Sequence, residues 1–175
     1  MSLESALALM CDVPDFPKPG IRFKDMTPIF ENPEAFRFLQ DALKKSVAPL
    51  KPTKVLAIES RGFILGAPLA LDLSCGLVLA RKKGKLPRKT LRETYGLEYG
   101  HDELHLHEGA LSKADRVVIV DDVLATGGTL MAAANLARRS GAEVVGLQVV
   151  LELGSLGARG RLKGFNLQSL RIENA

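Results

Sequence analysis

The sequence is poor in the features that mark secreted and membrane proteins. It has two cysteines, Cys11 and Cys75, too few for a disulfide framework, so a reducing, cytoplasmic setting is expected. The longest apolar run, residues 63–71, contains glycine and proline and falls short of the roughly 20 residues that span a bilayer. The N-terminal stretch carries Glu4 and no basic cluster, so a secretory signal is not expected there.

The composition is that of a globular protein. Of 175 residues, 46% are apolar and 25% are charged, which is enough apolar material to bury a core and argues against disorder as the main state. The length suits one domain, which we take to cover residues 1–175.

The positive charge is concentrated in one segment. The net charge is +4, but residues 81–92 (RKKGKLPRKTLR) hold seven basic residues and no acid. The remainder of the chain therefore has 17 basic and 20 acidic residues. A localised basic segment suits a small, highly charged anion at least as well as nucleic acid. With no acid within it, we expect this segment to be mobile when no ligand is bound.

Apolar spacing alternates between helical and strand-like along the chain. We predict helices at 2–10, 33–48, 62–73, 129–140 and 155–163, strands at 55–58, 77–80, 116–120, 144–153 and 167–172, and a hairpin of 95–99 with 103–107 around Gly100. This alternation predicts an α/β fold with a largely parallel central sheet flanked by helices. The N-terminal segment and the 81–107 excursion are expected to be additions to that core.

Residues 117–129 (VVIVDDVLATGGT) carry the clearest chemical signal. An apolar strand ends in two acids, and a loop of small residues then opens a helix, which is where open α/β sheets bind ligands. The backbone N–H groups and hydroxyls of 125–129 suit a phosphate monoester. Because Asp121 and Asp122 would repel that phosphate, we expect them to face sugar hydroxyls or a metal ion. The segment therefore indicates a sugar-phosphate site.

Other interpretations of these motifs were weighed. Residues 117–129 could form only an Asx turn before a capped helix, although two acids and a TGGT turn exceed what a turn requires. The sequence has neither G-x-x-x-x-G-K-[ST] nor G-x-G-x-x-G. The absence of the first motif disfavours a P-loop NTPase, and the absence of the second disfavours a dinucleotide-binding site. His101, His105 and His107 could suggest a metal site, but an exposed strand face is the favoured interpretation.

Residues 117–129 resemble the phosphoribosyl-pyrophosphate signature of the type I phosphoribosyltransferases. Three further segments, 16–28 (FPKPGIRFKDMTP), 59–63 (ESRGF) and 81–87 (RKKGKLP), followed by 97–100 (LEYG), are similar to the adenine-specific branch of that family. The resemblance runs nearly end to end. It implies the type I phosphoribosyltransferase fold, with a small purine-binding hood at about residues 1–30 and a flexible catalytic loop and hairpin at 81–107.

The resemblance also implies roles for individual residues. Ribose hydroxyls would be held by Asp121 and Asp122, and the 5′-phosphate by Ala125, Thr126, Gly127, Gly128 and Thr129. Pyrophosphate would be bound by Glu59, Ser60, Arg61, Arg81, Lys82 and Lys85, with a cis peptide between Glu59 and Ser60. Adenine would be stacked by Phe23 and read by the backbone of Arg22, and Glu103 would be the catalytic glutamate. Arg88, Lys89 and Arg92 receive no role.

The implied reaction converts adenine and phosphoribosyl pyrophosphate into AMP and pyrophosphate, as in purine salvage. Mg²⁺ would arrive with phosphoribosyl pyrophosphate, with no direct protein ligand, and the protein would be a cytoplasmic homodimer without nucleic-acid or membrane partners. Loops near 81–85 would approach the partner's site. Three alternatives stay open: a phosphoribosyltransferase for a 6-oxopurine such as xanthine, a non-catalytic regulator that senses phosphoribosyl pyrophosphate, and a solute-binding module.

Overall fold

The computed structural model describes residues 1–97 and 100–174. The chain forms two compact units, Met1–Leu43 and Lys44–Ala175. The first unit contains α1 (Leu3–Leu7), β1 (Cys11–Pro14), β2 (Arg22–Asp25), α2 (Thr27–Glu31) and most of α3 (Pro33–Val47). Strands β1 and β2 pair antiparallel, with Val13 opposite Phe23.

Side-chain caps mark where α1 and α3 begin. The Ser2 hydroxyl accepts a hydrogen bond from the Ser5 backbone N–H, and α1 ends at Leu7 rather than near residue 10 as predicted, because the chain enters β1 at Cys11. The Asn32 Oδ1 atom accepts hydrogen bonds from the N–H groups of Glu34 and Ala35, both 3.0 Å away, and so caps α3. Helix α3 then runs almost as predicted, with Leu39, Leu43 and Val47 buried along one stripe.

The second unit is built on a seven-stranded sheet. Its strands are β3 (Lys54–Ile58), β4 (Gly76–Lys82), β5 (Thr90–Leu97), β6 (Gly100–His107), β7 (Arg116–Leu124), β8 (Glu143–Leu153) and β9 (Leu167–Glu173), in the order β5-β6-β4-β3-β7-β8-β9. Strands β4, β3, β7, β8 and β9 are parallel, and the β5–β6 hairpin joins the β4 edge antiparallel. Its helices are α4 (Arg61–Asp72), α5 (Gly128–Arg139) and α6 (Ala158–Arg161). The predicted mostly parallel α/β fold is confirmed.

The central strands are apolar because both of their faces are covered. In β3 and β7 the residues from Val55 to Ile58 and from Val117 to Val120 are fully buried, as expected for parallel strands between helical layers. After β3 the chain moves first to β4 on one side and later to β7 on the other. The carboxyl ends of β3 and β7 thus form a topological switch point, where α/β sheets bind ligands.

Two further elements differ from the sequence-based prediction. Strand β7 continues to Leu124, so the two acids lie within the strand, because its pairing with β8 persists to Leu124 opposite Glu152. The predicted helix at 155–163 is a 3₁₀ turn at Gly154–Leu156 followed by the four residues of α6, and the two are separated by Gly157 in the left-handed region at φ 64°.

The predicted hairpin is present but longer, since β5 begins at Thr90 and β6 already begins at Gly100. Gly100 is the first residue of β6, paired with Leu97, rather than the centre of the turn. The intervening residues 98–99, part of the predicted 95–99 strand, lie outside the described residues. In the described ranges no helix is long and apolar enough to cross a membrane.

Candidate active site

The switch point brings the start of α4 against the acidic pair of β7. Helix α4 begins at Arg61, directly after β3, and the Arg61 Nε atom lies 2.5 Å from Asp122 Oδ2. At Gly62 a Cβ atom would lie 2.8 Å from the Val120 carbonyl oxygen and 3.3 Å from Asp121 Oδ1. Only glycine permits this approach, so α4 is seated directly on the carboxyl end of β7.

The two aspartates lie in an environment that disfavours two negative charges. Burial raises the pKa of Asp121 well above its ordinary value, and the neighbouring Asp122 carboxylate raises it further. The Asp122 side chain is 8% exposed and is compensated by Arg61. Asp121 Oδ1 accepts a hydrogen bond from the Asp122 N–H at 2.9 Å. Donor groups such as sugar hydroxyls would stabilise this pair.

The loop after β7 forms a small cradle. A cavity of about 140 Å³ is lined by Asp121, Val123, Leu124, Ala125, Thr126, Gly127, Gly128, Thr129 and Leu130. Gly127 caps α5 in the left-handed conformation at φ 82°, and its carbonyl accepts the first helical hydrogen bond, from Met131 at 3.0 Å. The structure thus joins all five residues predicted to hold phosphate with one of the predicted ribose-binding acids.

The cradle has the chemistry of an anion site. The N–H groups of the first turn of a helix have no intrahelical partners, and the helix dipole favours negative charge there. Thr126 and Thr129, both half-buried, add hydroxyl groups. The residues that line this cavity can therefore donate hydrogen bonds to a phosphate, and Asp121 can accept hydrogen bonds from a sugar.

Glu59 organises the predicted pyrophosphate-binding residues on the β4 side. Its carboxylate accepts two hydrogen bonds from Arg81, at 3.2 Å from Nε and 3.1 Å from Nη2, and one from the Lys82 N–H at 2.9 Å. Although burial opposes the shift, these contacts lower the pKa of Glu59. The Glu59–Ser60 peptide is cis, as the resemblance implied.

Lys82 and Lys85 differ in their surroundings. Lys82 Nζ contacts Asp102 Oδ2 and the Tyr95 hydroxyl. Burial would lower the pKa of Lys82, but its hydrogen bonds and charge interactions with Asp102 and Tyr95 together outweigh burial and raise that pKa. The Lys85 side chain is exposed, and its carbonyl oxygen accepts a hydrogen bond from Arg81 Nη1 at 2.8 Å.

The basic segment contains no acid, but the fold brings acids to it from elsewhere in the chain. Glu59 pairs with Arg81, Asp102 with Lys82, and Glu103 with Lys83 at 3.4 Å. These acids are about 20 residues distant in sequence; the pairing of β3 with β4 brings Glu59 close, and the pairing of β4 with β6 brings Asp102 and Glu103 close. Much of 81–107 is also paired strand rather than loop, because β5 and β6 extend the sheet.

Glu103 lies in β6 beside His105. Glu103 Oε2 is 3.1 Å from His105 Nε2, and this contact lowers the pKa of the Glu103 carboxyl group. The catalytic role of Glu103 stays a prediction.

The residues predicted to bind adenine lie in the first unit. Phe23 and Phe16 pack edge to face, with ring centroids 5.1 Å apart. The Arg22 side chain is 70% exposed and lies 3.7 Å from the Asp12 carboxylate. An outward-pointing Arg22 side chain agrees with the expectation that its backbone, rather than its guanidinium group, reads the base.

The histidines occupy varied surroundings on β6. His105 is hydrogen-bonded to Glu103 and to the Thr90 hydroxyl, while His107 contacts Arg88. Among the residues that the structure describes, no group of three or more His, Cys, Asp or Glu could hold a metal ion.

Sequence reasoning missed several residues that shape the site. Gly62 was quoted within a motif but given no role, although its lack of a side chain seats α4 on β7. Tyr95 and Asp102, the partners of Lys82, could not be found from local pattern, because they lie 13 and 20 residues away. Their only sequence signal is hairpin alternation, which predicts that strand residues share a face.

Comparisons with known proteins agree with this geometry. A model of the phosphoribosyl transferase domain matches residues 26–164. The chain is 54% identical over 159 residues to the adenine phosphoribosyltransferase of Carboxydothermus hydrogenoformans, covering 91% of this chain and 94% of that protein.

Solved structures of adenine phosphoribosyltransferases are also similar along the whole chain. That of Thermoanaerobacter pseudethanolicus has a TM-score of 0.96 and 44% identity, covering 98% of this chain and all of that one. The Giardia lamblia enzyme, complexed with 9-deazaadenine, has a TM-score of 0.94 and 37% identity, covering 100% and 99%. The chain therefore belongs to the phosphoribosyltransferase family and, within it, to the adenine phosphoribosyltransferases.

Proposed function

We propose that this protein transfers the 5-phosphoribosyl group of phosphoribosyl pyrophosphate to N9 of adenine, giving AMP and pyrophosphate in purine salvage. The observation that carries the proposal is the joining of Asp121 to the 125–129 cradle in one cavity at the switch point. A ribose 5-phosphate needs hydrogen-bond acceptors for its hydroxyl groups close to hydrogen-bond donors for its phosphate, and this cavity is lined by both. The family membership supports the same substrate.

The ribose and its phosphate are assigned to β7 and the start of α5. Asp121 and Asp122 accept hydrogen bonds from the 2′- and 3′-hydroxyls, and the backbone of 125–129 holds the 5′-phosphate. Each charge-assisted hydrogen bond contributes about 1.5–3 kcal/mol. This fixes the anomeric carbon in place and supplies orientation, a large part of the rate of a two-substrate reaction.

The leaving pyrophosphate is assigned to Arg61, Arg81, Lys82 and Lys85. As the bond from the anomeric carbon to pyrophosphate breaks, negative charge grows on the leaving oxygen, and fixed positive groups stabilise it. Arg81 and Lys82 are paired with Glu59 and Asp102 in the structure, which holds these cations in defined positions before the anion arrives.

Magnesium fits this site as an ion carried by the substrate. Carboxylate and phosphate oxygens are the ligands that Mg²⁺ prefers, and the pyrophosphate group of the substrate supplies phosphate oxygens, which leaves Asp121 and Asp122 to the ribose hydroxyls. We propose that bound Mg²⁺ supplies positive charge to the pyrophosphate group, while Arg61 and the basic residues of β4 orient it.

Proton removal from adenine N9 is assigned to Glu103. The hydrogen bond from His105 lowers the pKa of Glu103 in the ligand-free chain, and we expect burial by bound substrate to raise that pKa towards the working range of a general base. We expect Glu103→Gln to lower kcat by about 10²–10⁴-fold while phosphoribosyl pyrophosphate binds normally. Glu108→Gln, at an exposed position just beyond β6, is the control. A loss below threefold in Glu103→Gln would reject the assignment.

A cytoplasmic homodimer is proposed for the assembly. Ile64 and Leu71 of α4 and Leu77 and Leu79 of β4 are exposed, at 42%, 81%, 41% and 36% respectively. Exposed apolar side chains of this kind are suited to an interface between two copies. Cys11 and Cys75 are free thiols, as expected in a reducing compartment.

One assay tests the function directly. Radiolabelled adenine, phosphoribosyl pyrophosphate and Mg²⁺ should give AMP, and hypoxanthine or xanthine should be poorer by about 10⁴-fold or more, because a 6-oxopurine reverses the donor and acceptor pattern of adenine. Comparable kcat/KM for hypoxanthine would overturn the substrate but not the transfer. Tight binding of phosphoribosyl pyrophosphate without turnover would instead indicate the regulator.

A further inference from the structure

An ion pair between a buried glutamate and a half-exposed arginine lies outside the residues assigned to substrate. Glu152 of β8 is 3% exposed, and its carboxylate is bonded at both oxygens by Arg159, at 2.8 Å from Nε and 2.7 Å from Nη2. The Ser169 hydroxyl of β9 donates to the same carboxylate at 2.5 Å. Although burial opposes it, these bonds lower the pKa of Glu152, so the group is a carboxylate at neutral pH. Strands β8 and β9 and the segment between them are thereby linked at one point.

Arg159 belongs to α6, and α6 packs on the phosphate cradle. A Cβ atom at Gly127 would lie 3.4 Å from the Ala158 Cβ atom and 3.4 Å from Leu162 Cδ1. Ala158 and Leu162 are 3% and 2% exposed. At Gly128 the corresponding position lies 3.1 Å from the Gly96 carbonyl oxygen, 3.4 Å from Tyr95 Cδ2 and 3.5 Å from Arg161 Nη1. The wall behind Gly127 therefore comes from α6 and the residue that follows it, and the wall behind Gly128 is shared between α6 and β5.

Helix α6 cannot hold this position by its own stability. It has four residues, is preceded by Gly157 in the left-handed region, and follows a 3₁₀ turn. A single helical turn is unstable in isolation, because nucleation fixes several backbone dihedrals for few hydrogen bonds. A bidentate pair between a planar guanidinium and a buried carboxylate fixes both distance and orientation.

We propose that the Glu152–Arg159 pair is a positioning device that holds α6 against Gly127 and Gly128 and thereby fixes the shape of the 5′-phosphate cradle. This inference rests on the proposed function, which assigns the cradle to phosphate. Neither Glu152 nor Arg159 lines the cavity, so they act through α6 and are not catalytic residues. The device affects the ribose-phosphate half of the substrate and leaves the pyrophosphate half unchanged.

The test separates the two halves by calorimetry with the full chain. Arg159→Ala should bind ribose 5-phosphate at least tenfold more weakly than the wild type, while inorganic pyrophosphate affinity stays within twofold. The KM for phosphoribosyl pyrophosphate should rise by a similar factor, with kcat within threefold. Arg159→Lys keeps the charge but loses the planar two-point contact, so its affinity for ribose 5-phosphate should lie between those of the wild type and Arg159→Ala. Ribose 5-phosphate affinity within twofold of wild type in folded Arg159→Ala would overturn the proposal.

A control and a ligand-free measurement complete the test. Arg171→Ala removes a partly exposed arginine of β9 that pairs with Glu173 at 3.0 Å, and it should leave all these values unchanged. If Arg159→Ala does not fold, Arg159→Lys is compared by NMR without ligand. The Gly127 and Gly128 amide resonances should move in Arg159→Lys and not in Arg171→Ala, and unmoved resonances would contradict the proposal.

A different result would contradict the proposed function and not this inference. A wild-type protein that binds no ribose 5-phosphate would remove the phosphate assignment, whereas the coupling of Arg159 to Gly127 and Gly128 would still be read from the same amide resonances.

Discussion

The two adjacent aspartates at the end of β7 are suited to binding a ligand but lower the stability of the ligand-free protein. Asp122 is 8% exposed and paired with Arg61, and Asp121 lies beside it with a raised pKa. Two adjacent acids in such surroundings would be unfavourable without a ligand that donates hydrogen bonds. Strained electrostatics of this kind are common at active sites. The two residues therefore lead to separate predictions, one for activity and one for stability.

We predict that Asp122→Asn cripples turnover without unfolding the chain. The amide loses a charge-assisted hydrogen bond to ribose, which should cost about 1.5–3 kcal/mol in kcat/KM, or roughly 10- to 150-fold. Asp72→Asn, at the exposed distal end of α4, is the matched control and should retain full activity. Wild-type kcat/KM in a folded Asp122→Asn protein would contradict the ribose assignment.

Asp121→Asn is predicted to stabilise the ligand-free protein while it lowers activity. Because the folded-state pKa of Asp121 is raised, ionising it as pH rises above about 3.8 removes stability that the uncharged amide would keep. The melting temperature of Asp121→Asn should exceed that of wild type by a few degrees at pH 8, since about 1 kcal/mol moves Tm by roughly 2–4 °C at this size. The difference should shrink towards pH 4, and an equal or lower Tm at pH 8 would contradict the prediction.

At the scale of elements, the β5–β6 hairpin carries both structural and ligand-facing charges. Leu104 and Leu106 of β6 are fully buried, so one face of the hairpin belongs to the core. Asp102 lies on the same strand and pairs with Lys82 at the end of β4. A lid that closed over substrate could not move as one body without breaking these contacts, so we place its motion in the connection between β4 and β5.

Hydrogen exchange should resolve this division. We expect amides of β6 to be protected without ligand, because they pair with β4 and β5. Residues 83–89 should exchange rapidly and slow when phosphoribosyl pyrophosphate and Mg²⁺ are added, as pyrophosphate neutralises the basic side chains. Strand β8, buried in the sheet, serves as the internal reference. Unchanged exchange at 83–89 on ligand addition would count against a lid.

At the scale of the whole molecule, the exposed apolar residues of α4 and β4 predict a homodimer. Sedimentation at micromolar concentration should give twice the 18.9 kDa chain mass. Leu71→Lys places a charge at a residue that is 81% exposed and should shift the mass towards monomer. Leu156→Lys, at an exposed apolar residue of the 3₁₀ turn after β8, is the control. A fully active wild-type monomer would refute the dimer.

The fold class and the proposed phosphate cradle could be predicted from local chemistry in the sequence. The strand, the acids, the glycines and the start of the helix all lie within the 13 consecutive residues of 117–129, so the chain itself keeps them close together in space. Helix α3 could be predicted for the same reason, because its Asn32 cap and its stripe of apolar residues are also close together in the sequence. Element boundaries were less certain, since β7 extends past Val120 through its pairing with β8, which no local pattern reports.

Tertiary structure alone decided the electrostatics of the site. Glu59 and Arg81 are 22 residues apart, and Lys82 and Asp102 are 20 apart, so the register of β3, β4 and β6 determines which charges meet. The raised pKa of Asp121 depends on burial by surrounding elements, and the Glu152–Arg159–Ser169 contact depends on the pairing of β8 with β9. Charge interactions depend on distance and solvent exposure rather than on sequence order, and only the folded sheet sets both.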